Sequence, residues 1–248
     1  MLGLGGSLTA DFKHVFLDDN SVLLDGTDDY IQLDAITNVD DFQDIKDRGA
    51  VSIWVKINTT SSTGQIFRMQ ADSNNFISMY YHAGSNTTRT AYKGSGGTTI
   101  AKTAAAIEGD DNWHHLVSTW STTTNKISIY LDGSLVESKP NSGSLDTFSG
   151  EIAAVDVGQN TVGSSYFDGS VNDISFWNVN LTGAQVSTIY NNGKPNDILT
   201  LVSENVDPLN CIAYYPLESA SGTIAKDHSR HKNNGTLTNG PEWQGDTP

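Results

Sequence analysis

Residues 126–131 alternate strictly, with Ile127, Ile129 and Leu131 on one side and Lys126, Ser128 and Tyr130 on the other. A period of two marks a strand with one buried face. The preceding WHHLVSTW, residues 113–120, is rich in β-branched and aromatic side chains and predicts a partner strand. STTTN between them is turn chemistry, and Asp132-Gly133 supplies a second tight reversal into a third strand. Residues 50–57 repeat the pattern, with Val51, Ile53, Val55 and Ile57 opposite Ser52, Trp54 and Lys56. Residues 65–71, 75–82 and 87–93 predict a further meander. Residues 21–33 read as strand, Asp25-Gly26 turn, strand. Further strands are expected at 151–158, 165–178 and 211–217. GSGG at 94–97 reads as a loop, 102–111 is too short for a helix, and the acidic 38–48 reads as a helical turn.

One stretch carries a helical period. Val186, Ile189 and Tyr190 form an apolar stripe, and Thr182 with Gln185 makes a capping box. Gly193 stands where a helix stop belongs, and Pro195 bars continuation. The pattern thus gives an all-β chain of antiparallel strands with one short helix near 182–191. Residues 1–20 read as an N-terminal arm, 21–193 as the domain, 194–210 as a linker, and 211–248 as a strand and tail.

Charge narrows the partners. Aspartate and glutamate number 29 against 14 lysines and arginines, a net charge of −15. Nucleic acid needs clustered cations, so this balance argues against it and against insertion in or attraction to anionic membranes. A single cysteine, Cys211, excludes an intrachain disulfide, and its setting in CIAYYPL suits a buried small hydrophobe. MLGLGGSLTADF has neither the basic nor the long apolar part of an export signal, so synthesis in a cytoplasm without general export is expected.

Hydrolysis with retention needs two carboxyl groups about 5–5.5 Å apart. Glu151 and Asp156 are five positions apart, as are Asp168 and Asp173, so each pair points to opposite faces unless a bulge intervenes. The chain also lacks a G-x-S-x-G elbow. A non-catalytic protein is expected. His114 and His115 are adjacent and cannot share a metal from one strand. Parity places Trp54, Tyr130 and Trp177 opposite the apolar faces of their strands, and at most one of Tyr80 and Tyr81 faces any groove. Trp54, Tyr130, Trp177 and Tyr80 are therefore the candidate ligand-binding residues, unless another segment covers them.

SVLLDGTDDYIQL, NWHHLVSTWSTTTNKISIYLDGSLV and YFDGSVNDISFWNVNLTGAQVSTIYNNG together resemble the laminin-G-like, concanavalin A-like lectin/glucanase superfamily over about residues 21–193. The resemblance implies a jelly-roll sandwich of two antiparallel sheets. It also implies a structural calcium held by the Asp173 side chain, the Gly26 carbonyl and Asp227, with Asp28 and Asp29 as substitutes. The tail IAYYPLESASGTIAKDHSRHKNNGTLTNGPEW resembles the lead-in that precedes the first strand in the family. It closes its own sandwich, pairs with a neighbouring subunit, or starts a second repeat. The first is preferred, because an unpaired apolar strand is an aggregation hazard.

In style the chain resembles structural proteins of tailed phages. That implies a non-catalytic virion protein, made in the host cytoplasm: a head decoration, fibre or tail component. Its expected partners are other virion proteins, further copies of itself, and surface glycans. The alternative is a secreted or surface carbohydrate-binding or adhesion module, with a glycoside hydrolase a distant third.

Overall fold

The computed structural model describes residues 16–248 apart from 60, 61, 104, 141, 142 and 162, so most of the expected N-terminal arm lies outside the described residues. In chain order the strands are β1 (Ser21–Asp25), β2 (Tyr30–Gln32), β3 (Arg48–Ile57), β4 (Gly64–Asp72), β5 (Asn75–His82), β6 (Thr87–Gly94), β7 (Gly97–Lys102) and β8 (His114–Ser121). There follow β9 (Lys126–Leu131), β10 (Ser134–Lys139), β11 (Ala154–Val157), β12 (Asp168–Trp177), β13 (Cys211–Tyr215), β14 (Ile224–Ala225), β15 (Gly235–Thr238) and β16 (Glu242–Gln244). The α-helical elements among the described residues are a single turn, α1 (Asp40–Gln43), and the helix α2 (Gly183–Tyr190).

These strands form a jelly-roll sandwich of two antiparallel sheets. The first runs β10-β9-β8-β3-β12-β1-β16, with β13 also paired to β12. The second runs β14-β15-β2-β11-β4-β5-β6-β7. The alternation along the chain sets the seam between them. Val51, Ile53, Val55, Ile127 and Ile129 come from the first sheet and are fully buried, with Leu131 partly so. Phe67, Met69, Ile77, Met79 and Val155 meet them from the second. Burying one such side chain contributes roughly 1.5–3 kcal/mol, so a one-residue register slip would expose the whole row.

The Asp25-Gly26 turn lets the chain leave the first sheet and enter the second. Gly26 has φ +71°, and a β-carbon there would stand 2.7 Å from that of Asp168. Only glycine fits so close a crossing.

α2 starts as its sequence dictates. The Thr182 hydroxyl accepts from the Gln185 backbone N–H, and the Gln185 side chain accepts from the Thr182 N–H. The stop differs from expectation. Asn191 takes the left-handed conformation that ends the helix, two residues before Gly193, because asparagine tolerates positive φ.

Residues 194–210 are not a linker. They hold two 3-10 turns, Ile198–Glu204 and Pro208–Asn210. Ile198, Leu201 and Val206 pack with Val186 and Ile189 of α2 against Ala50, Val117 and Trp177 of the first sheet. β7 is an element that sequence pattern misses: GTTIAK at an edge lacks a clean apolar alternation.

The tail pairs within its own chain. β13 lies antiparallel to β12, β15 to β2, and β16 to β1. Asp227 anchors it, its carboxylate accepting from the backbone N–H groups of Tyr214, Ser229 and Asn233 and from the Ser229 hydroxyl. Among the described residues no helix is long and apolar enough to cross a membrane.

Candidate functional site

The two sheets treat their outer faces in opposite ways. On the first, α2 and the 198–206 segment lie over the strands. Trp54 is buried there, its indole stacked on Tyr190 with centroids 5.7 Å apart and against His115 at 5.0 Å. Trp177 is fully buried and donates from Nε1 to Ser175 Oγ at 2.9 Å. Tyr130 packs in the same cluster and reaches the surface only at the wall of a groove of about 280 Å³ with Thr119, Ser128, Ser138 and Thr182. Trp54 and Trp177 are therefore core, not ligand-binding residues, and Tyr130 is nearly so. Parity gave the correct side of each strand, but that side is sealed by a helix laid down later in the chain.

His115 belongs to this sealed layer. Its Nε2 and Ser52 Oγ are hydrogen-bonded at 2.7 Å, and burial pushes its pKa down to about 3, so it stays neutral. His114 points the other way and bridges Asp132 and Asp110, each 2.9 Å from a ring nitrogen. Hydrogen bonds to those carboxylates, Asp132 foremost, raise its pKa.

The outer face of the second sheet has no such cover from α2. Cross-strand pairing puts Arg68, Ser78, Ala91 and Ile100 in one row. Gln70, Phe76, Lys93 and Thr98 form the row on one side, and Tyr80, Arg89 and Lys102 the row on the other. Ser78 and Ala91 are small and buried, while Phe76, Tyr80, Arg68, Arg89 and Lys93 are half-exposed around them. The middle row is thus the floor of a shallow trough. Its walls, Phe76 and Tyr80, are four residues apart on β5, about 13 Å along the strand. Arg68 lies over the Phe76 ring, its guanidinium carbon 3.6 Å from the centroid, while Nε donates to Gln70 Oε1 at 2.8 Å. Tyr81 faces the core instead, so the tyrosine pair resolves in favour of Tyr80. Of the four aromatic residues expected to bind ligand, Tyr80 alone stands half-exposed on a sheet face.

The calcium ligand set implied by the family does not assemble. Asp25 pairs with Asp168, so Gly26 sits at that end of β12, and Asp173 is five residues further along, about 16 Å away. Asp227 is spent on the four hydrogen bonds that hold the tail. Asp173 is buried with its carboxyl beside the Tyr214 hydroxyl, an interaction that works against the rise that burial imposes on its pKa. Burial pushes its pKa up to about 8, and the nearby Asp18, Glu218 and Asp197 add to this. Three carboxylates do converge at the first turn, those of Asp25, Asp28 and Asp29. Two of them already serve the turn itself, Asp25 Oδ1 accepting from Thr27 N–H and Asp29 Oδ2 from Asp25 N–H.

The acidic pairs weighed for hydrolysis also fall apart in space. Glu151 is exposed and ion-pairs with Lys46, whereas Asp156 is buried and bonded by Gln159. A bulge at Asn172–Ser175 does break the parity of β12, with Asp173 at φ +52°. It turns Asp173 under Tyr214, while Asp168 stays at the strand start with Asn58.

The family model described as the concanavalin A-like lectin/glucanases superfamily, Laminin_G_3, matches residues 25–187, and the chain belongs to that family. No curated protein matches the sequence. Among solved structures, a putative carbohydrate binding protein from Bacteroides ovatus is similar over 92% of this chain and 60% of its own, at 13% identity and TM-score 0.59. The chain thus spans under two thirds of that protein's length. The Ruminococcus gnavus IT-sialidase CBM40 bound to alpha2,3 sialyllactose aligns over 68% of this chain and 97% of its own, at 9% identity and TM-score 0.54. The heptameric SAP-like pentraxin from Limulus polyphemus aligns over 71% and 83%, at 21% identity and TM-score 0.51. At these identities the likeness is one of fold.

Proposed function

We propose that the protein is a non-catalytic carbohydrate-binding module whose ligand lies across the open face of the second sheet, against Tyr80. One observation carries this reading: that face combines a half-exposed ring with hydrogen-bonding side chains over a floor of small residues, while the matching face of the first sheet is sealed. A sugar offers an apolar ring face and a rim of hydroxyls. Tyr80 suits the first, and Gln70, Arg68 and Arg89 suit the second. The Bacteroides and Ruminococcus proteins show this fold in sugar-binding company. The tail strands described are paired within their own chain, which favours self-closure over exchange with a neighbouring subunit.

Glycan-array binding tests the reading. Tyr80→Ala is expected to weaken binding roughly 2- to 10-fold with an unchanged melting temperature. Trp54→Ala, by contrast, should lower stability. Failure of the intact protein to bind any glycan, neutral or charged, would sink the proposal.

A further inference from the structure

We infer that the sugar taken by this face is an acidic one, held by the free end of the Arg68 guanidinium; the inference rests on the carbohydrate-binding reading above. The chain is strongly anionic, yet Arg68 of β4, Arg89 and Lys93 of β6 and Lys102 of β7, four of its 14 lysines and arginines, share one face of the sheet. A fold with so few cations has placed a patch of them where a ligand would lie, and a local field of one sign concentrates ligands of the other.

Their surroundings show how little of this charge is neutralised internally. Arg68 makes one hydrogen bond, from Nε to Gln70, and lies on Phe76. Arg89 donates to Thr87 Oγ1 and Ser85 Oγ. Neither is ion-paired with a carboxylate among the described residues. Lys93 donates to the Ser73 carbonyl, with Asp72 near enough to feel its charge. Glu137 takes the Lys102 backbone N–H.

Arg68 is the residue equipped to read the charge rather than merely attract it. Asp156 is its direct cross-strand neighbour on this face, yet is buried and hydrogen-bonded to Gln159, while Arg68 is turned aside onto the Phe76 ring. The Phe76 and Gln70 contacts fix the guanidinium plane and occupy Nε. The two terminal nitrogens remain as a planar fork, the arrangement that grips a carboxylate by two parallel bonds. Burial lowers the Arg68 pKa to about 10, which still leaves it charged at neutral pH. Binding of an anion restores the solvation that burial removes.

The test uses the full chain and four probes: an oligogalacturonate, its neutral galactan counterpart, dextran and dextran sulfate. The oligogalacturonate is expected to bind about tenfold or more tightly than the galactan, and to weaken between about 50 and 300 mM salt as screening increases. Arg68→Met keeps the packing on Phe76 and removes the fork. It should cost about tenfold for the oligogalacturonate and leave the galactan unchanged. Arg68→Lys keeps the charge and should lose most of the same preference. Arg89→Met serves as a second variant of the patch, expected to lose less.

Equal binding of the acidic and neutral chains overturns the inference while leaving the carbohydrate reading intact. So does an acidic preference untouched by Arg68→Met, or one shared in full by dextran sulfate and unchanged by Arg68→Lys, which marks diffuse attraction. Binding of none of the four overturns the inference, and a blank glycan array beside it defeats the carbohydrate reading itself.

Discussion

Replacing Asp173 by asparagine should stabilise the protein, and by an amount that grows with pH. In the folded chain the carboxyl is buried beside Tyr214, with burial first and the charges of Asp18, Glu218 and Asp197 next in holding its proton on up to about pH 8. In the unfolded chain it titrates near 3.9. Between those values the native state keeps a proton that the unfolded state has released, so native stability falls as pH rises. One group contributes about 1.4 kcal/mol per pH unit. From pH 4 to pH 7 the loss is about 4 kcal/mol, an upper bound for a single site. In a chain of this size that corresponds to a melting temperature lower by about 8–16 °C. Asparagine is neutral at every pH and nearly the same shape, so it escapes the loss.

Urea or thermal unfolding of both proteins at pH 4, 5, 6, 7 and 8 measures the difference. The curves should meet near pH 4 and separate steadily above it. Asp156 and Asp18, raised by burial to about 7 and about 6, slope the same way but are common to both proteins and cancel. A variant that is less stable than the wild type at pH 7, or a gap that does not change with pH, would refute the reasoning. It would mean that Asp173 is ionised in the folded protein and held there by a partner.

Three further changes follow from particular contacts. His114 has its pKa raised by Asp132 and Asp110, so its stabilisation is complete below its unfolded value near 6.5 and is lost as pH climbs through the folded value. His114→Gln should therefore be destabilising at pH 6 and close to neutral at pH 9 in the same unfolding assay. Asp227→Ala leaves four donors of the tail without their acceptor, at a cost of about 3 kcal/mol or more, and limited proteolysis should then cut within 216–248 before the rest. Thr182→Ala removes the capping box of α2 and should cost about 1 kcal/mol, some 2–4 °C by calorimetry.

Much of the fold is legible in the sequence because strand burial is a parity rule. Ile127 and Ile129, or Val51 to Ile57 by twos, need only one dry side to announce themselves. The capping box at Thr182 is equally local, being three residues of hydrogen-bond chemistry. The stop at Asn191 is less so, because glycine and asparagine both accept positive φ and only the packed helix decides between them. The 194–210 stretch looks like a linker because its apolar residues follow no period. They are spaced by 3-10 turns that tertiary packing imposes.

The site fails to read out for a different reason. Parity says which side of a strand a residue occupies, not what lies beyond it. Trp54 and Tyr80 carry the same signal, an aromatic residue opposite a dry face. Their fates differ because α2 arrives over one sheet and not the other. That choice is set by Val186, Ile189 and Ile198 clustering with Trp177 and with Ala50, the last of these far away in the chain. A usable signal was present two strands away. On the hairpin of β5 and β6, Phe76, Ser78 and Tyr80 share parity with Arg89, Ala91 and Lys93, and the long aliphatic side chain that ends the middle row, Ile100, stands out on the edge strand β7. A face with rings and cations but a floor of serine and alanine has nothing to offer a helix. It follows that the composition which spared this face from being covered is also what fits it to hold a polar, ring-shaped ligand, and filling the floor should close the site. Ser78→Leu with Ala91→Leu is expected to abolish glycan binding while the strand signal in circular dichroism is kept, at about 1–3 kcal/mol of stability for each crowded position, and binding retained by the folded variant would place the ligand elsewhere on the molecule.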